Sequence, residues 1–221
     1  MFRKILTAVG FTLLFAVSAS AQKGYFGTRV SFDITSPAGS DLGLRNGSGF
    51  SVGAIYNYRF NNHVFLEPGV SVYYNTMGIR PVDRDGELYD GSVSNWGVEI
   101  PLNVGYNFAL LDNLEVSVFT GPVFDFNITA KGVLDPNFTG PAPTGSDNLL
   151  DHGWKRFDCQ WGFGVGVTFA HSYYIGVSGG IGISPLASYN IGGDTYRMRR
   201  NSFSIALGYN CLLYTSDAAD D

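Results

Sequence analysis

The sequence predicts an all-β fold: an eight-stranded, antiparallel, up-and-down transmembrane β-barrel that follows a cleaved N-terminal signal peptide. Three observations carry this. The chain opens on a secretory leader, it then alternates apolar and polar residues in long runs, and the connections between the runs alternate short and long.

The leader comes first. Arg3 and Lys4 precede an apolar run over residues 5–17, and Ala19, Ser20 and Ala21 offer small residues for cleavage. Residues 1–21 are therefore expected to be removed, with the mature chain starting at Gln22. No later stretch reaches the roughly 20 apolar residues of a spanning helix. A mature chain that sits in a membrane must then cross it as strands.

Alternation is cleanest over residues 95–106. Trp96, Val98, Ile100, Leu102, Val104 and Tyr106 share one face, against Asn95, Glu99 and Asn103 on the other. Residues 156–169 split the same way, with Phe157, Trp161, Phe163 and Val165 opposing Arg156, Asp158, Gln160 and three glycines. The remaining runs place strands at about 24–35, 48–60, 63–76, 93–108, 113–129, 154–170, 172–186 and 200–210. Most match or exceed the roughly 9–11 residues a tilted strand needs to cross a bilayer. Tight turns fall at 61–62, 109–112 and His171; long segments fall at 37–47, 77–92, 130–153 and 187–199. Short turns at the periplasmic rim and long loops outside are the barrel pattern.

Composition agrees. Glycine is frequent (29 residues), aromatics reach 15%, and charged residues are held to 15%. A net charge of -5 argues against a nucleic-acid partner. Of the two cysteines only Cys159 lies in the body of the domain, which excludes an internal disulfide framework and a cysteine-rich metal site there. No cofactor is expected. Residues 211–221 read CLLYTSDAADD, a polar run fused to a good strand. They match what a transposase-type sequencing adapter encodes, so the barrel domain is expected to span 22–210 and the last eleven residues to be non-native.

Which face looks outward is decided by the polar face. A solvated surface would be rich in lysine, yet after the leader only Lys23, Lys131 and Lys155 occur, none of them mid-strand. The polar face carries glycine, serine and charges of both signs, which suits a narrow lumen filled by side chains that pair with each other. Arg29, Arg59, Glu67, Glu99, Asp125, Arg156 and Asp158 are the expected structural charge network. Phe32, Val52, Tyr56, Leu66, Val72, Phe124, Phe126, Ile175 and Ile205 are the expected lipid-facing band. Tyr25, Tyr58, Tyr73, Tyr74, Trp96, Trp154 and Tyr209 are assigned to the interfacial girdles.

The order of several short motifs resembles the PorT-like outer-membrane β-barrel family of Bacteroidota. They are Leu66-Glu67-Pro68-Gly69-Val70, Glu99-Ile100-Pro101-Leu102, Gly121-Pro122, Asp158 ahead of Gly162, Gly164 and Gly166, and the closing Ser204-Ile205-Ala206-Leu207-Gly208-Tyr209. The match covers residues 23–210. The resemblance implies a cell-envelope location in the outer membrane and insertion by the barrel-assembly machinery. The family usually ends on an aromatic after the final Gly-Tyr pair, and here Asn210 leads into the adapter-like tail.

Chemistry is sparse. The histidines are His63, His152 and His171, and no strand sets one beside a serine and an acid, so no catalytic residues are assigned. Residues 82–87 with Asp90 alternate oxygen ligands as a calcium loop would, but lack the rest of the EF-hand spacing, so no metal ligands are assigned. Arg197, Arg199 and Arg200 could form a rim that grips anionic lipopolysaccharide phosphates. The expectation is a monomeric, non-enzymatic integral barrel with an envelope-structural or interaction role through its outer loops. Outer-membrane lipid surrounds it, and lipopolysaccharide or an envelope protein is the candidate partner. The alternative is a narrow, porin-like channel associated with transport or secretion.

Overall fold

The computed structural model describes residues 24–39, 44–61, 63–79, 90–134, 149–151, 153–191 and 194–211. The expected signal peptide (residues 1–21), His152, residues 82–87 and the adapter-like residues 212–221 lie outside them. Nine strands form one antiparallel sheet: β1 (Gly24–Gly39), β2 (Leu44–Arg59), β3 (Val64–Ile79), β4 (Gly91–Leu111), β5 (Leu114–Leu134), β6 (Phe157–Phe169), β7 (Tyr173–Gly182), β8 (Ala187–Ile191) and β9 (Asp194–Cys211). Each strand pairs with the next through β7, β7 pairs with β9, and β9 closes the ring on β1 from Phe26↔Cys211 to Gly39↔Met198. Closure leaves no open edge, which is what lets strands sit in lipid.

The ring itself has eight strands, as the alternation predicts. β8 is an addition: it pairs with the outer end of β9, Ala187↔Met198 to Ile191↔Asp194, and meets the β5–β6 connection through a single bridge, Trp154↔Ala187. The sequence reading left 187–199 as loop because no apolar alternation marks it. The hairpin is held by backbone pairing, and Ala187 and Met198 at its base are buried in the apolar cluster at the mouth. Strands β1 to β5 likewise run several residues past their expected outer ends.

The side chains sort as the pleat demands. Of the expected lipid-facing residues, Phe32, Val52, Val72, Phe126, Ile175 and Ile205 are exposed. Trp96, Tyr74 and Tyr209 are exposed with them, as girdle residues should be. Three aromatics depart from that assignment. Tyr73 and Trp154 are only 2% and 3% exposed and point into the molecule, and Tyr25 lines an internal cavity under the Arg59 guanidinium. Tyr73 shares the odd-numbered face of β3 with Phe65 and Glu67, so strand parity, not proximity to a strand end, decides its side.

Three prolines interrupt the ladders at one level of the wall. Pairing lapses without a register shift between Ile55↔Gly69 and Tyr58↔Leu66, opposite Pro68. It lapses again between Ser71↔Glu99 and Pro68↔Leu102, at Pro101, and between Pro101↔Val123 and Val104↔Thr120, at Pro122. Proline has no N–H to donate, so each costs its interface a ladder bond.

Candidate functional site

The interior is the only place where polar chemistry converges among the described residues, and it is stacked in four levels. At the outer mouth the lumen is apolar. Met77, Val93, Ala130 and Met198 line the wall, and Leu149, Leu150 and Trp154 of the β5–β6 connection fold in against them with Leu186 and Ala187. Backbone bonds fix that connection: Trp154 N–H to Leu149 C=O at 3.1 Å, Lys155 N–H to Leu186 C=O at 2.7 Å, and Ser188 N–H to Gly153 C=O at 2.9 Å. The sequence reading missed this plug. Leu149 and Leu150 lie in the long segment 130–153, with no periodicity to mark them as inward, and Trp154 was expected at an interfacial girdle.

Directly beneath lies an ionic layer. Glu99, Asp125 and Asp158 stand side by side on β4, β5 and β6, since Glu99↔Asp125 and Asp125↔Asp158 are register partners. Arg200 comes from β9 to meet two of them, at 2.6 Å from Asp125 Oδ2 and 3.4 Å from Asp158 Oδ1. Gln160 donates to Asp125 Oδ2 at 2.9 Å, and Asn127 donates to Asp158 Oδ2 at 3.0 Å. Tyr73 O–H and Asn95 Nδ2 both donate to Asn127 Oδ1, at 2.7 and 2.9 Å. The Arg200 guanidinium lies 5.2 Å from the Tyr73 ring centroid. Such burial of charge is tolerated only when partners satisfy it from several sides.

Below the layer a chamber of about 140 Å³ occupies mid-barrel, lined by Ser31, Asp33, Ser71, Glu99 and Asn103 among others. Ser31 Oγ donates to Asp33 Oδ1 at 2.7 Å. The chamber's floor is Arg29, whose guanidinium lies 3.9 Å from the Tyr174 ring centroid and 3.9 Å from Glu67 Oε2, and donates to Asn210 Oδ1 at 2.8 Å. Glycine makes that fit possible. A Cβ on Gly208 would sit 2.6 Å from Arg29 Nη1, and one on Gly176 would sit 2.3 Å from the Tyr174 hydroxyl oxygen. Toward the short-turn end, Arg59 donates to Glu115 at 2.7 Å and Asn57 donates to Glu67 at 2.9 Å.

The expected network is thus placed residue by residue. Arg29, Arg59, Glu67, Glu99, Asp125 and Asp158 face the interior in two groups, around Arg200 and around Arg29 with Arg59. Arg156 precedes β6, its side chain is exposed, and its carbonyl accepts from Asn127 N–H at 2.8 Å. Arg200 is the reverse case. The sequence reading put it with Arg197 and Arg199 on an outer rim, but β9 begins six residues before it and alternation turns it inward, 2% exposed. Arg197 and Arg199 are exposed. Beside Asn95, already assigned to the polar face, the buried Asn57, Asn75 and Asn127 were the overlooked signal for the inner face.

His63 is exposed and stacks on Tyr106 with ring centroids 5.2 Å apart, and His171 lies in the β6–β7 turn. Among the described residues no three His, Cys, Asp or Glu side chains converge as a metal centre would require.

The chain is similar to the attachment invasion locus protein Ail of Yersinia pestis in complex with sucrose octasulfate, at 14% identity and TM-score 0.41, over 86% of this chain and 100% of that one. It is similar to OprG of Pseudomonas aeruginosa at 12% identity and TM-score 0.45, over 86% and 97%. Neisserial surface protein A matches at 16% identity and TM-score 0.39, over 83% and 96%. No curated protein sequence matches the chain. A family model described as an outer membrane protein beta-barrel domain matches residues 8–187, most of the chain. The chain therefore belongs to the outer membrane protein beta-barrel domain family and is a protein of the bacterial outer membrane.

Proposed function

We propose that this barrel is a non-conducting, non-enzymatic membrane anchor of PorT-like type, whose outer loops carry an envelope-structural or interaction role. The observation that supports the reading most is double closure of the lumen: an apolar plug at the mouth and a layer of paired charges below it. A solute would have to displace Trp154, Leu149 and Leu150 and then break the Arg200 pairs. Both costs are several kcal/mol. The exposed Arg197 and Arg199 at the outer end of β9 suit phosphates of lipopolysaccharide or an acidic envelope partner.

Planar-bilayer recording of the refolded barrel tests the reading. The expected result is an absence of discrete current steps in the intact protein. Regular unitary steps would replace this reading with the narrow-channel alternative.

A further inference from the structure

The lumen is out of charge balance. Among the described residues three arginines face it (Arg29, Arg59, Arg200), against six carboxylates: Asp33, Glu67, Glu99, Glu115, Asp125 and Asp158. Arg59 is matched by Glu115, and Arg200 is shared between Asp125 and Asp158. What remains surrounds the chamber: Arg29 lines it with Glu67, Asp33 and Glu99, and Arg200, already paired with Asp125 and Asp158, reaches Glu99 only through space. Glu99 is the telling residue. It lines the chamber, half-buried in the barrel interior, and no described side chain gives it a hydrogen bond or a close ion pair. A carboxylate held out of bulk water without a partner is costly, and like charges opposed across a ladder, as Glu99 and Asp125 are, add to that cost.

We infer that the chamber is a binding site for a small organic dication, a short alkyl diamine in chemical class, with one ammonium on Glu99 and the other on Asp33. Three features select that class. The carboxylates do not converge on one point, so a bare metal ion would not satisfy them. Asp33 on β1 and Glu99 on β4 stand three strands apart around the ring, a separation a flexible chain with a charge at each end can bridge. The lining between them mixes the hydroxyls of Ser31, Ser51 and Ser71, which accept N–H bonds, with Ile55, Val123 and Ala206, which suit methylenes.

Entry is from the short-turn, periplasmic end. The apolar plug closes the other side, whereas a smaller cavity of about 10 Å³, lined by Tyr25 and Glu115, shares Glu67, Phe119 and Tyr174 with the chamber. Two acids therefore flank the route, and the stacked Arg29–Tyr174 pair lies across it.

Calorimetric titration of the full refolded barrel in detergent with 1,4-diaminobutane tests this, against sodium chloride at matched ionic strength. Saturable binding is expected for the diamine and none for the salt. Glu99→Gln should weaken it by about tenfold or more, the loss of one charged hydrogen bond. Ala206→Leu fills the chamber without touching its charge and should abolish binding, so it decides the matter if Glu99→Gln does not fold. Absence of saturable diamine binding in the unaltered protein overturns the inference. Binding left unchanged by Ala206→Leu overturns it too, because the diamine would then be held on surface acids. Neither outcome bears on conductance, so the anchor reading stands or falls separately.

Discussion

Arg200 shows how one residue's meaning depends on the strand that carries it. In the sequence it ends a basic run, and every neighbour suggests a solvated rim. In the fold it pairs with both Asp125 and Asp158, and both carboxylates are buried. Removing it strands two charges, so Arg200→Ala should cost about 3–5 kcal/mol of stability. Arg199→Ala, one residue away and exposed, should stay within about 0.5 kcal/mol. Urea unfolding of the two variants in detergent measures the difference, and equal shifts would mean that the layer is not sealed from water. The same parity argument moves Tyr73 and Tyr25 off the membrane girdle and into the lumen. These corrections were available from alternation alone, once the strand's phase was taken from its least ambiguous residues.

The hairpins are set by local chemistry. Asn61 Oδ1 accepts from the backbone N–H of both His63 and Val64, at 2.8 and 2.7 Å, which closes the β2–β3 turn. The β6–β7 turn is different: Ala170 and His171 adopt φ of 48° and 58°, while Ser172 N–H reaches Phe169 C=O at 3.2 Å. Two successive left-handed residues make this a type I′ turn, which matches the strand twist but suits Asn-Gly far better than Ala-His. Replacing the pair with Asn-Gly should therefore stabilise the barrel by about 0.5–1 kcal/mol, read as a higher urea midpoint. A lower midpoint would show that His171 has a contact worth more than the strain. The β5–β6 connection obeys no such local rule. Leu149, Leu150 and Trp154 are buried because the mouth they enter is lined by Met77, Val93 and Met198, contributed by β3, β4 and β9.

For the molecule as a whole, the closed ring gives every strand two neighbours and turns an apolar band outward, so that lipid stands where a core would be. Phe32, Val52, Val72, Phe163, Ile175 and Ile205 are all exposed on that wall. Such a ring should resist detergent at room temperature and unfold only on heating, which predicts a heat-modifiable shift in gel migration for the refolded chain. A chain soluble without detergent and showing no shift would contradict the membrane assignment. The ladder lapses at Pro68, Pro101 and Pro122 mark where opening of that wall should begin, since backbone pairing is thinnest there.

Sequence by itself determined the ring of eight strands, its inside and its outside, and most of the charges that enter the lumen. These follow from a period of two, which each strand writes independently of its neighbours. Tertiary structure decided what those residues meet: the plug over the mouth, Arg200 between two acids, the row of Glu99, Asp125 and Asp158, and the chamber beneath. Each joins strands far apart in the chain, and the register that brings them level is fixed only when the ring closes.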